Sequence, residues 1–298
     1  MKQLELFRRL AAPEHDLYGA EALWAEISRH PDFVDSRDCG LVDAVQSGWY
    51  RSDTNELFVG FPISAADSVL DVGCGAGGAT LFCANRGASV TYTDIEPEKI
   101  TALNDKVQLT PARQARGFVS DSFPLPVDTG SMSRIVSTEV LEHVVDPPEF
   151  LRELARVGQP GALYLLSVPA PLGEHLQKDF APAHYFKKPN HIHIFGQEEF
   201  AGLVQDAGLE ILHHENYGFF WTFWVFLYWA LAKSVDADLS EETHDIVQPP
   251  YPPLLNDWAS LWHQMLQIPE TAAMRKSLDG LLPKSQVIVA RKPESSET

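Results

Sequence analysis

The chain has 298 residues, a hydrophobic content of 45% and a charged content of 21%, which suits a globular α/β protein of one large domain or two small ones. Its formal net charge of −18 works against nucleic acid as a substrate and against broad docking on anionic membranes; the one visible basic pair, Lys187-Lys188, is small. Three cysteines, Cys39, Cys74 and Cys83, with no C-x-x-C spacing, imply no disulfide framework and fit a reducing compartment. The opening MKQLELFRRLAAPEHD lacks a long apolar run, so the expectation is a cytoplasmic protein.

In chain order, Leu17, Ala20, Leu23, Trp24 and Ile27 have the spacing of one helix face over Glu14 to His30, and a second helix is expected over Leu41 to Tyr50. Ser68 to Val72 is the first strand. A helix follows from Gly78 to Arg86, with Gly87 as its stop. Ser89 to Thr93 is a β-branched strand, and Pro97 opens the next helix. Strands are expected at Gly117 to Ser120 and Arg134 to Thr138. Asp146-Pro147 reads as an N-cap and first turn for a helix burying Phe150, Leu151, Leu154 and Val157. Ala162 to Val168 reads as a strand buried on both faces, Gln197 to Ala207 as a helix, Leu209 to His213 as a strand and Lys284 to Ala290 as the last strand. Pro169 to Lys188 reads as a long loop of the kind that forms lids. The tail after Lys292 is expected to be disordered. Strands alternating with helices indicate a doubly wound, Rossmann-like, mostly parallel sheet.

The chemistry starts at DVGCGAGG, Asp71 to Gly78. Gly73, Gly75 and Gly78 fit the dinucleotide pattern G-x-G-x-x-G, but the stretch also fits the D-x-G-x-G-x-G loop of a sulfonium nucleoside site. Asp71 argues for the second reading, because a carboxylate there suits a ligand with an ammonium group and fits a diphosphate poorly. Asp94, at the end of the next strand, suits ribose hydroxyls in either case. Asp121, closing the third strand, suits the exocyclic amine of adenine, with Ser122 as a backbone donor.

With VLDVGCGAGGAT, VTYTDIEP, SDSFPLP, IVSTEVLEHVVDPPEFLREL and PGALYLLSVP in order, the sequence resembles the class I S-adenosylmethionine-dependent methyltransferases. The resemblance covers roughly Asp67 to Tyr217 plus the last strand. It implies a seven-stranded sheet with an antiparallel last strand, and S-adenosyl-L-methionine as cofactor. By resemblance Asp71, Gly73, Gly75 and Gly77 line the methionine end, Asp94 takes the ribose, and Asp121 and Ser122 take the adenine; Ile95 and Glu139 are counted with the cofactor contacts. Three regions are expected: an N-terminal helical extension over 1–66, the core over 67–217 plus 283–292, and a helical insertion over 218–282.

On the reacting side, Glu139, Glu142 and His143 lie at i, i+3 and i+4, one face of a helical turn. They are candidates for a divalent cation such as Mg2+, for a general base with its orienter, or for a structural role. The segment is similar to the corresponding one in ubiquinone-pathway O-methyltransferases, where the pattern accompanies magnesium dependence. His191 and His193 alternate around Ile192 and share one face of an extended segment, which makes them further catalytic candidates. The uncharged stretch GFFWTFWVFLYWALA, Gly218 to Ala232, is too short for a bilayer span, which takes roughly 20 residues. It reads as the roof of an acceptor pocket, a homodimer contact, a peripheral membrane contact or extra core. The expected activity is methyl transfer to a small or lipid-linked acceptor, at oxygen first, with carbon, nitrogen or sugar as alternatives. Outside that class stand a catalytically silent methyltransferase fold that binds a partner and a nicotinamide-dependent oxidoreductase, for which the sequence offers no second catalytic domain.

Overall fold

The computed structural model describes residue 25, residues 28–29, residues 33–234 and residues 252–294. The helix expected over Glu14 to His30, apart from three of its residues, lies outside the described residues, as do the acidic stretch after Ser234 and residues 295–298 of the tail.

In chain order the elements are α1 (Ser36–Gln46), β1 (Trp49–Arg51), β2 (Glu56–Phe58), β3 (Phe61–Pro62), β4 (Ser68–Val72), α2 (Gly78–Ala84), β5 (Ser89–Asp94), α3 (Pro97–Val107) and β6 (Gln114–Val119). There follow β7 (Met132–Thr138), α4 (Pro147–Val157), β8 (Gly158–Pro169), α5 (Pro171–Gln177), a 3-10 turn (Ala183–Phe186), α6 (Gln197–Asp206) and β9 (Glu210–Tyr217). The chain closes with α7 (Phe219–Ser234), α8 (Pro253–Leu266), a short 3-10 turn (Pro269–Thr271), α9 (Ala272–Leu281) and β10 (Ser285–Arg291). They fall into two compact units. A sheet unit comprises 48–171, 192–216 and 285–298; a helical unit comprises 1–47, 172–191 and 217–284.

In the sheet unit seven strands run in the order β6-β5-β4-β7-β8-β10-β9. β6, β5, β4, β7 and β8 are parallel, and β10 enters antiparallel to β8, pairing Ser285 with Pro169 and Arg291 with Leu163. This is the doubly wound sheet expected from the alternation, with the antiparallel last strand that the resemblance implies. The central β4 buries Val69, Leu70 and Val72, as a strand covered on both faces must. Local chemistry sets the helix starts. Asp146 caps α4 by accepting from the Glu149 N–H at 2.8 Å, Pro147 takes the first position, and Phe150, Leu151, Leu154 and Val157 form its buried stripe. The register Val72↔Thr93 brings the ends of β4 and β5 level, which fixes where the loop between β4 and α2 must turn.

Several elements depart from the sequence expectation. The helix expected over Leu41 to Tyr50 starts earlier, because Asp35 accepts from the Arg37 N–H at 2.8 Å. It ends at Gln46, and Gly48 at φ 102° turns the chain into β1. β1, β2 and β3 form a small antiparallel sheet that the sequence did not announce. β6 begins at Gln114 rather than Gly117; it is an edge strand, and its exposed, polar first residues carry no apolar signal. The segment expected as a loop after Pro169 contains α5 and a 3-10 turn.

The helical unit is organised by α7, a largely apolar helix that buries Phe220, Thr222, Trp224, Val225, Trp229 and Ala232 and leaves Phe223 exposed. Phe220, Trp224, Trp229 and Trp262 are fully enclosed, while Trp221 is half-buried. The α7–α1 approach is close enough that any side chain at Gly40 would overlap the Trp221 ring. Three indole donors are used: Trp262 Nε1 donates to Asp43 at 2.8 Å, Trp258 Nε1 to the Phe220 carbonyl at 3.1 Å and Trp229 Nε1 to Gln177 at 3.0 Å. Within this unit one face of α7 belongs to the core, with Phe220, Trp224, Val225 and Trp229 in it. Among the described residues, no helix is long and apolar enough to cross a membrane.

Candidate active site

The glycine loop and the strand ends around it lie wholly in the sheet unit. β4 delivers Asp71 into the loop, where it is 3% exposed and accepts from Thr80 Oγ1 at 2.6 Å. Burial pushes its carboxyl up to about 6, against the hydrogen bonds from Thr80 and with help from the charge of Asp94. A carboxylate so costly to ionise alone is a receptor for a cation, since a paired ammonium removes the cost. The loop is pinned to β5: the Gly73 and Cys74 N–H groups both donate to the Thr93 carbonyl, at 2.8 and 2.9 Å. Gly75 and Gly77 have φ of 52° and 88°, and a Cβ built on Gly75 would meet nothing within 4 Å. The loop backbone is therefore open to a ligand at Gly75.

Asp94 is buried at the end of β5. Its two oxygens accept from the Gly75 N–H at 2.9 Å and the Glu96 N–H at 3.0 Å. Each carboxylate oxygen has a second lone pair, so these bonds orient the group and leave it acceptor capacity for hydroxyls. Beside it Ile95 is 70% exposed, an apolar side chain set out at a strand end where a flat ring could lie on it. Asp121 is exposed and accepts from the Phe123 N–H at 3.2 Å. Ser122, at φ 73°, donates its N–H to Ser120 Oγ at 3.0 Å, so the backbone donor expected for adenine is engaged locally.

After β7 the expected helical face does not form. Glu139 adopts φ 56°, which breaks the i, i+3, i+4 relation. Its N–H donates to the Ser167 carbonyl and its Oε1 accepts from Ser167 Oγ, both at 3.0 Å. Only Val140 to His143 make a turn, closed by the His143 N–H on the Val140 carbonyl. Glu142 is fully buried and its Oε1 lies 3.6 Å from His143 Nε2. Glu142 and His143 thus stay together, while Glu139 turns to β8 and does not complete a three-ligand set with them. His191 and His193 fall on either side of the division between the two units, and the contacts of each are made within its own unit. In the sheet unit the Ile192 and His193 N–H groups bond the Glu142 carbonyl, at 2.9 and 3.2 Å, and His193 Nε2 meets the Val144 carbonyl at 3.0 Å. In the helical unit His191 Nδ1 lies 2.7 Å from Glu174 Oε2.

A family model described as a methyltransferase domain matches residues 49–214. The chain belongs to that family. Among its relatives are the methyltransferase GfsG of Streptomyces halstedii, 28% identical over 53% of this chain and 58% of the relative. Norajmaline N-methyltransferase of Rauvolfia serpentina is 30% identical over 34% of this chain and 35% of the relative. Ubiquinone biosynthesis O-methyltransferase of Xanthomonas oryzae pv. oryzae is 37% identical over 35% of this chain and 43% of the relative. The matched stretch spans about half or less of the length of these relatives. A chain of the solved complex between the Haloferax volcanii Trm112 methyltransferase activator and a methyltransferase superposes with a TM-score of 0.52 at 17% identity, covering 94% of this chain and 98% of that one; the likeness is one of fold.

The methyltransferase-domain match takes in every residue of the glycine loop, the strand ends and the turn after β7, and leaves out α7, α8 and α9. Two side chains of this domain's loop region escaped the sequence reading. Thr80, inside the quoted GGAT, holds Asp71. Tyr50 stands in the strained left-handed region at φ 51°, with its ring 5.8 Å from Phe82. A Cβ on Gly78 would come within 2.9 Å of its Oη, so the hydroxyl lies on the first turn of α2. Burial, and then the Asp71 carboxylate, push this phenol up to about 12, which keeps it a neutral donor. No local pattern marks Tyr50, because β1 forms only through pairing with β2.

Proposed function

We propose that this chain is an S-adenosylmethionine-dependent methyltransferase acting on a hydroxyl of a small or lipid-linked acceptor. The observation that carries the reading is the buried Asp71 under a glycine loop whose backbone is open at Gly75, with Asp94 fixed one strand over. These residues fit the cofactor's two ends: Asp71 suits the ammonium, and Asp94 suits the ribose. Gly75, between Gly73 and Gly77, supplies the backbone approach, and Ile95 and Asp121 stand at the strand ends for the base. When bound, S-adenosylmethionine supplies an electrophilic sulfonium methyl group.

The chain's own part is alignment, exclusion of water and handling of the acceptor's proton. His143 beside the buried Glu142 supports a proton-handling role, and the departure of Glu139 argues against a Mg2+ site built from all three. An amine acceptor is the second reading, favoured by the likeness to an N-methyltransferase.

Calorimetry with S-adenosylhomocysteine and NAD tests the cofactor, and label transfer from methyl-labelled S-adenosylmethionine to phenol, catechol, sugar and amine probes tests the acceptor class. Binding of S-adenosylhomocysteine and labelling of a hydroxyl probe are expected. Binding of NAD without S-adenosylhomocysteine would overturn the reading, and labelling of amines alone would move it to nitrogen. Cofactor binding with no transfer to any probe would leave the methyltransferase fold serving as a binding protein.

A further inference from the structure

We propose that Tyr50 donates its hydroxyl proton to the carboxylate of the cofactor's amino-acid end, as the counterpart of Asp71, and so makes the site selective for a zwitterionic ligand over its decarboxylated analogue. The proposal rests on the S-adenosylmethionine reading and concerns a residue outside the glycine loop and the strand ends around it. Tyr50 and Asp71 both lie in the sheet unit.

Tyr50 is held in place at a cost. Its φ of 51° is in the left-handed region, where a bulky residue is an outlier and stays only if its surroundings fix it. Its neighbours on both sides are fixed. Trp49 pairs with Phe58 and Arg51 with Glu56 across β1 and β2. The Trp49 and Phe58 rings lie 5.0 Å apart, and Arg51 Nη1 meets Glu56 Oε2 at 2.7 Å. The Val59 N–H donates to the Gly48 carbonyl at 3.0 Å, which ties down the residue before Trp49. With the chain pinned on either side, the Tyr50 ring lies against Phe82 of α2 and its hydroxyl reaches Gly78.

That hydroxyl has a proton to give. Among the described residues no group accepts from it. Burial and the charge of Asp71 push the phenol up to about 12, so it stays protonated at neutral pH. The same influence shows that Tyr50 and Asp71 are near enough to act on one ligand group. Glycine at 78 leaves the hydroxyl its room: a Cβ there would come within 2.9 Å of Oη, although a helical backbone favours alanine over glycine. A carboxylate at Asp71 and a neutral donor at Tyr50 match the two charges of an α-amino acid, the ammonium at Asp71 and the carboxylate at Tyr50. A donor with a charged acceptor is a strong pairing, and a site built around one rejects the analogue that lacks it.

The test uses the full chain and two ligands, S-adenosylhomocysteine and its decarboxylated analogue, in which hydrogen replaces the α-carboxylate. Calorimetry at pH 7 should show the wild type binding S-adenosylhomocysteine about tenfold to a hundredfold more tightly than the analogue. Tyr50→Phe, which keeps the ring, should lose most of that preference by weakening S-adenosylhomocysteine while keeping wild-type affinity for the analogue. Gly78→Ala should also reduce the preference, with the hydroxyl present but displaced by the new methyl group. A wild type without the preference, a Tyr50→Phe that keeps it, or an equal loss for both ligands in Tyr50→Phe overturns the proposal. Should Tyr50→Phe not fold, a wild-type preference in Gly78→Ala does the same. If the wild type binds no S-adenosylhomocysteine, the cofactor reading itself falls and takes this role of Tyr50 with it, a result visible before any variant is made.

Discussion

Lowering the pH from 7 to 5 should weaken S-adenosylhomocysteine binding by an amount set by one buried carboxyl. Asp71 carries a pKa raised from 3.8 to about 6 by burial. In the ligand-free protein the sign follows directly. A folded value above the unfolded one means that the native state binds the proton more tightly. The stabilisation is therefore fully present below about pH 4 and is lost as pH rises through about 6. A ligand ammonium facing Asp71 inverts this, because it favours the ionised form. If pairing returns the carboxyl to its ordinary value, affinity falls about tenfold from pH 7 to pH 5, or about 1.4 kcal/mol. About 0.8 proton is released per ligand bound at pH 5, and about 0.1 at pH 7. Titration calorimetry in buffers of different ionisation enthalpy measures both quantities. Asp43, in the helical unit, is also raised to about 6 and adds to the stability curve, so Asp71→Asn identifies the part linked to ligand. Affinity independent of pH in the wild type, or the same proton release in Asp71→Asn, would refute the assignment of Asp71 to the ammonium.

The parts of this protein that were legible in the sequence are those decided within a few residues of backbone. Asp71 to Gly78 could be read because a turn between a buried strand and a helix needs those glycines where they are. Asp94 could be read because it closes the neighbouring strand in register. The cap at Asp146 and the largely apolar α7 were legible for the same reason. What failed depended on tertiary partners. Helical spacing grouped Glu139 with Glu142 and His143, but one residue in the left-handed region, held by Ser167, removes Glu139 from that face. Tyr50 was read into a helix that Gly48 ends. Glu174 was read as part of a loop, although a buried carboxylate needs the partners that Gln177 of α5, Tyr185 and His191 bring to it.

Four further outcomes are expected. Asp94→Ala should raise the S-adenosylhomocysteine Kd about a hundredfold or more, because two hydroxyls lose a charged acceptor worth about 1.5–3 kcal/mol each; calorimetry at pH 7 reads it. Asp43→Asn should stabilise the ligand-free protein above pH 6 by on the order of 2 kcal/mol and leave it unchanged below pH 4, since the ionised carboxylate is what burial penalises; urea unfolding across that range measures it. Chelator should leave label transfer intact and His143→Ala should lower it, if proton handling rather than a cation is the role of that turn. The glycine loop separates folding from binding. Gly77 has φ 88°, and a methyl group there would overlap the Leu103 side chain. Gly77→Ala should therefore cost about 1 kcal/mol for the left-handed backbone and a further 1–3 kcal/mol for overpacking, read as a lower unfolding midpoint. Gly75 has φ 52°, and its missing side chain faces open space. Gly75→Ala should cost only the backbone part, about 1 kcal/mol, so the protein stays folded. Its methyl group would nevertheless stand where the loop is open to a ligand, so S-adenosylhomocysteine affinity should fall more than tenfold. Wild-type affinity in a folded Gly75→Ala would mean that no ligand approaches the loop on that side, and the cofactor assignment would lose the geometry on which it stands.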